Sequence, residues 1–245
     1  MIVSRKSNQS LIVKTIVLSG LLSQSASCGK LKTTEVSQPE VITSNTPPFS
    51  TKEPGRYQAL RVITTSETSG GTTVTTTTRV SRDGANRRQE RLLDNGETIV
   101  YLETPGGRYL LLPSLRIFAA VTGPGAEQTE AGEDLSPEKV LNEDPFHARY
   151  QRLGNESLLG RSTVKYKVTV ERGAETVIWI DESIGMPVRS ETSYSDAQHS
   201  AKTTMELKDI RLEVDPELFL LPPDYRKATS AEEFEKLRIG RPHQK

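Results

Sequence analysis

One cysteine, one tryptophan and three histidines are all that this chain of 245 residues holds of the residue types that most often bind metals or carry redox chemistry. A lone cysteine, Cys28, can form neither an intramolecular disulfide nor a multi-cysteine metal site. His147 lies close to Glu143 and Asp144, but no second histidine stands at ligand spacing, so it reads as solvated. His199 and His243 sit in polar or terminal stretches. Net charge is also missing, with 32 basic against 32 acidic residues. Without residues 1–27, which carry Arg5, Lys6 and Lys14 and no acid, the balance turns slightly acidic. That argues against a nucleic-acid partner, whose affinity would come from clustered Lys and Arg. No Gly-x-Ser-x-Gly, Walker A or Gly-x-Gly-x-x-Gly motif occurs, and carboxylate spacing singles out no acid–base pair. Neither enzymatic activity nor a cofactor is expected. Apolar residues make up only 34% of the chain. A polar linker and a sheet with one wet face would account for so low a share.

What is present begins at the first residues. A polar start with Arg5 and Lys6 is followed by a short apolar run, Leu11 to Leu22, and the small residues Ser25-Ala26-Ser27. This is the layout of a secretory signal peptide over residues 1–27. Cys28 directly after the small residues resembles the lipobox of bacterial lipoproteins, in which that cysteine is lipidated and becomes the mature N-terminus. The resemblance implies an exported protein anchored in the cell envelope and facing the periplasm. Gly29, rather than the family's retention Asp, points to the outer membrane. Ordinary cleavage near Ala26 or Ser27, leaving a free thiol, fits the same residues. Residues 28–54 hold Pro39, Pro47, Pro48 and Pro54 among Ser, Thr, Glu and Gln, and read as an anchor and flexible tether.

Residues 55–227 read as a β domain. β-Branched runs are punctuated by Ser69-Gly70-Gly71, Asp83-Gly84, Asp94-Asn95-Gly96 and Pro105-Gly106-Gly107, the spacing of an antiparallel meander. Thr122 to Asp134 reads as a mobile loop, and Ser136-Pro137-Glu138 as the start of a short helix. A second meander follows, with strands at Val164–Val170 and Thr176–Asp181 and a long one from Lys202 to Val214. In that last strand the apolar phase changes: Met205 and Leu207 are odd, whereas Ile210, Leu212 and Val214 are even. A one-residue slip flips every side chain, so a β-bulge is expected near Lys208-Asp209. Residues 228–245 read as a C-terminal helix and tail. Thr229 or Ser230 would be the cap, Glu233 would complete a capping box, and Phe234 and Leu237 would form the apolar edge.

Tyr150 to Tyr225 resembles the C-terminal half of the LolA/LolB-like superfamily of outer-membrane lipoprotein-sorting proteins. The matching residues are Gly160-Arg161 before Tyr166-Lys167-Val168, then Thr176-Val177-Ile178-Trp179-Ile180-Asp181, then Gly185-Met186-Pro187-Val188-Arg189. They continue through Met205-Glu206-Leu207-Lys208-Asp209-Ile210 to Leu218-Phe219-Leu220-Leu221-Pro222. The resemblance implies a mainly β fold, a strongly curved antiparallel sheet forming an open half-barrel with a few short helices. It also implies a concave apolar face that takes lipid chains. Lys52 to Tyr57 holds no counterpart of the amphipathic helix with which the carrier members begin. Candidate ligand-lining residues are Trp179, Tyr101 and Tyr166, with Leu115, Ile117 and Phe118 as a lid beside the mobile loop. The expected function is lipid or acyl-chain binding for transport or sensing. The membrane (through Cys28), the ligand and another envelope protein would be its partners. A regulator, or a structural module with a filled interior, is the alternative.

Overall fold

The computed structural model describes residues 41–43, 47–49, 53–67, 71, 73–93, 95–121, 148–169, 175–195 and 200–239. Thirteen strands form one sheet. They are β1 (Val41–Thr43), β2 (Arg56–Glu67), β3 (Thr73–Asp83), β4 (Asn86–Leu92), β5 (Thr98–Thr104), β6 (Gly107–Leu112) and β7 (Ile117–Ala120). The second group is β8 (Arg149–Leu158), β9 (Arg161–Thr169), β10 (Glu175–Asp181), β11 (Met186–Ser195), β12 (Ser200–Arg211) and β13 (Arg226–Lys227). One α-helix, α1 (Ala231–Ile239), follows. The mainly β, antiparallel class expected from the sequence is the class observed; only the two-residue β13 pairs in parallel, with β7.

Strands run in the order β1-β8-β9-β10-β11-β12-β2-β3-β4-β5-β6-β7-β13. Two meanders, β2–β7 and β8–β12, are thus joined by antiparallel pairing of β12 with β2, from Ala201↔Glu67 to Arg211↔Gln58. Threonines line the outer part of this seam, where Thr65 and Thr203 hydroxyls lie 3.2 Å apart; on the other side of β2 those of Thr64 and Thr75 lie 3.3 Å apart across β2 and β3. Branched side chains suit a pleated surface, and paired hydroxyls satisfy one another across strands.

Cross-strand register sorts the side chains onto two faces. Tyr166, Ile178, Ser190, Met205 and Ile63 are successive partners on one. Lys165, Trp179, Arg189, Glu206 and Val62 are successive partners on the other. The Tyr166 face is mostly apolar. It carries Val164, Tyr166, Ile178 and Ile180, then Tyr57, Ala59, Val80 and Leu207, then Ile99, Tyr101, Leu110, Leu112 and Ile117. Helix α1 lays Phe234, 1% exposed, onto the last of these groups. The Trp179 face is apolar only near β5–β7, where Val100, Leu102 and Leu111 meet Val214 and Phe219 from the segment after β12.

The capping of α1 differs slightly from expectation. Ser230 Oγ accepts the Glu233 N–H at 3.0 Å, but the Glu233 carboxylate reaches back to the N–H and hydroxyl of Thr229, each at 2.6 Å. Those Thr229 hydrogen bonds, with Arg226 behind them, hold the carboxyl down at about 2. The tether reading of residues 28–54 also needs correction in its described part. Val41–Thr43 adds to the edge of β8, and Phe49 and Glu53 are bound to the sheet. Two or three residues are too few to show a period, and an open strand edge accepts almost any backbone. The loop at 122–134, the helix near Ser136, His147 and Cys28 lie outside the described residues.

Leu102 is fully buried between β-strands and the 214–225 segment, so Leu102→Ala is expected to cost about 2–5 kcal/mol in urea unfolding. Thr75→Ala, on an exposed strand end, is expected to stay within about 0.5 kcal/mol.

Candidate ligand-binding site

The bulge foreseen in β12 is present, and it opens a cavity. Lys208 pairs with Leu60 and Arg211 with Gln58, leaving Asp209 and Ile210 opposite Ala59 alone. Asp209 absorbs the extra residue in the left-handed region at φ 53°. A bulge of this kind bends its strand and breaks the ladder locally. Near it lies the β8–β9 hairpin, closed by the Leu158↔Arg161 pair around Leu159 and Gly160. Both central residues have positive φ, 50° and 77°, as a type I′ turn requires. Leucine is a costly occupant of such a position, since the left-handed region strains a Cβ-bearing residue by about 1–2 kcal/mol.

Arg161 ties the turn to the bulge. Its Nη1 donates to Asp181 at 2.8 Å and its Nη2 to the Ile210 carbonyl at 3.3 Å. Asp181 is 2% exposed and also accepts from the N–H and hydroxyl of Ser183, at 2.9 and 2.6 Å. Burial pushes its carboxyl up, but the Ser183 and Arg161 hydrogen bonds outweigh burial and hold it below the usual carboxylate range. The anchor is therefore charged and fixed at neutral pH.

Between turn and bulge is an open cavity of about 410 Å³. Leu158, Leu159, Val188, Leu207 and Ile210 supply apolar lining, and Arg161, Lys208 and Asp209 supply charge. That volume falls in the range of small-molecule sites, roughly 300–1,000 Å³. A smaller cavity of about 210 Å³ shares Asp209 but is lined by Gln58, Ala59, Leu60, Arg79 and Arg211.

None of the candidate ligand-lining or lid residues named from the sequence lines the larger cavity. Tyr101, Ile117 and Leu115 belong to the group under α1. Phe118 points to the opposite face from Ile117 and packs edge-on against Tyr109 at 6.0 Å. The three lid candidates therefore do not act together. Tyr166 stacks with Phe49 at 4.7 Å. Trp179 is on the charged face, 5% exposed, beneath Lys165 at 4.6 Å and Arg189 at 5.2 Å. Its Nε1 donates to Glu156 at 3.0 Å. That bond, with help from Lys165, lowers the Glu156 carboxyl below its ordinary value. The parity change in β12 had marked the bulge side of the cavity; the other side had a signal that went unused, Leu158-Leu159 placed directly before a turn glycine. Among the described residues no group of His, Cys, Asp and Glu is arranged to hold a metal, and no helix is long and apolar enough to cross a membrane.

No family model and no curated protein matches the chain. Solved structures do. The chain is similar to a LolA superfamily protein of Nitrosomonas europaea, at 14% identity over 68% of this chain and 90% of that one, with a TM-score of 0.33. It is similar to the lipoprotein LppX of Mycobacterium tuberculosis, at 11% identity over 64% and 88%, with a TM-score of 0.35. It is also similar to MucB in the MucA/MucB complex of Pseudomonas aeruginosa, at 14% identity, with a TM-score of 0.33. That match covers 72% of this chain and 59% of the other.

Trp179 is the single tryptophan, so emission reports on its surroundings only, the Glu156 contact among them. A depressed carboxyl stays ionised as pH falls through its ordinary value of 4.5. Emission is expected to hold constant down to that pH and to shift only below it; Glu156→Gln is expected to abolish the acid transition in a fluorescence titration.

Proposed function

We propose that this protein is an exported envelope lipoprotein that binds one apolar chain, of a lipid or of a lipoprotein, for transport or sensing. The observation that carries this reading is the cavity of about 410 Å³ at the β12 bulge, walled by five aliphatic side chains. Each methylene taken out of water there is worth about 0.8 kcal/mol. Lys208, bonded to Glu206 at 3.3 Å, is a cation of the lining suited to an acidic head group. The envelope address rests on the export pattern of residues 1–27 and on Cys28 as the lipidated residue.

Leu159 supports the reading through its strain. An aliphatic residue is kept at a left-handed turn position that glycine would fill without penalty, and it remains 58% exposed. Strain retained at such a place is accounted for if the side chain serves a ligand.

Native mass spectrometry of the protein purified from an exporting bacterial host is expected to show a lipid adduct that organic extraction identifies. Leu159→Gly is expected to raise stability by about 1 kcal/mol while reducing the adduct severalfold. A stabilised variant that retains all of its adduct, or a wild-type protein that stays empty after incubation with lipid vesicles, would contradict the proposal.

A further inference from the structure

The stretch from 41 to 54 touches the sheet at three described places, and each is a recognition contact made by the sheet. At the first, β1 adds three residues to β8, which would otherwise be the sheet's edge. Strand addition supplies affinity through main-chain hydrogen bonds whatever the side chains are. At the second, Phe49 meets Tyr150 edge-on at 5.9 Å and Tyr166 at 4.7 Å. At the third, Glu53 is 4% exposed, and its carboxylate accepts from the Tyr57 hydroxyl at 2.6 Å. The same carboxylate pairs with Arg82 and, at 2.9 Å, with Arg87.

Tyr57, Arg82 and Arg87 are register partners on β2, β3 and β4, so the sheet alone builds this anion pocket on its Tyr166 face. Two half-buried guanidiniums and a phenol turned onto one buried carboxylate make a site selective for acids, since charge-assisted hydrogen bonds from guanidinium to carboxylate are among the strong ones. The pocket's occupant comes from outside the meander, on the stretch that precedes β2.

We infer that β8, the Tyr150–Tyr166 cleft and the Tyr57–Arg82–Arg87 pocket form a docking track for an extended segment of another protein. That segment carries an aromatic residue and, four positions later, a carboxylate. Val41–Thr43, Phe49 and Glu53 occupy the track in cis and set the threshold a partner must exceed. The inference uses residues separate from the aliphatic cavity and stands whether or not that cavity takes a lipid. A segment held in cis competes at an effective concentration in the millimolar range, so a partner prevails by matching the same contacts more tightly or by being tethered nearby.

The test is fluorescence anisotropy of a labelled synthetic peptide with the sequence of residues 38–55, titrated into the full chain. Phe49→Ala combined with Glu53→Gln in the protein weakens the cis occupant, and the peptide is expected to bind that variant about tenfold or more tighter than wild type. Arg82→Gln added to the variant, or replacement of the peptide's Glu53 by Gln, is expected to remove the gain, whereas replacement of its Glu40 is not. Equal affinity of wild type and a variant folded by circular dichroism would overturn the inference, as would binding indifferent to the peptide's Glu53. A readout that does not depend on the variant's folding uses wild type with a photo-cross-linking group at the peptide's Phe position. Cross-links to the tryptic fragments carrying Tyr150 or Tyr166 are expected; cross-links confined to other strands refute the track.

Discussion

Everything in this fold hangs on the antiparallel pairing of β12 with β2. Each meander taken alone is a local structure, its strands joined to their sequence neighbours. The β12–β2 ladder links residues more than 130 positions apart, as the Thr65–Thr203 hydroxyl contact shows. It makes one sheet of two, and so aligns the apolar alternation of both halves on the Tyr166 face. The same ladder carries the bulge. Were β12 regular through Arg211, Leu207 and Ile210 could not both join the group around Tyr57, because they have opposite parity. The one extra residue at Asp209–Ile210 reconciles them and leaves the aliphatic cavity beside it.

The two faces divide the work. On the Trp179 face, Arg189 with Glu206 at 3.0 Å and Lys202 with Glu191 at 2.8 Å lie across β11 and β12. Lys165 with Glu156 at 3.3 Å continues the row to β8 and β9. Solvent-screened pairs at a partly exposed surface contribute little stability each. Their effect is to keep that face wet and so to specify which side of the sheet is buried. Trp179 is accommodated there because its ring lies under two cations and its N–H meets a carboxylate. The Tyr166 face holds most of the core and the contacts of Phe49 and Glu53, while the cavity at the bulge is lined from both faces.

Much of this was legible in the sequence because it is local. Asp83-Gly84 and Pro105-Gly106-Gly107 marked turns that the structure has. The parity change between Leu207 and Ile210 marked the bulge, and Ser230 with Glu233 marked the start of α1. What could not be read was non-local. Thr176 to Asp181 alternates too weakly to say which face Trp179 takes; only its register with Lys165 and Arg189 decides that. Phe118 and Ile117 are adjacent, and adjacency in a strand turns their side chains to opposite faces, which composition alone did not show. Glu53 gave no signal in a Pro-rich stretch, because its cationic partners Arg82 and Arg87 lie on later strands that only the folded sheet brings to it.

The central claim is that the bulge between Lys208 and Arg211 shapes a site for an apolar chain. The most direct test is an anomalous-scattering map from crystals of the protein soaked with a bromine-tagged fatty acid. The account predicts a bromine peak between Leu158–Leu159 and Ile210. A peak under α1 against Tyr101, or a map with no bromine in a crystal exposed to saturating ligand, would contradict it.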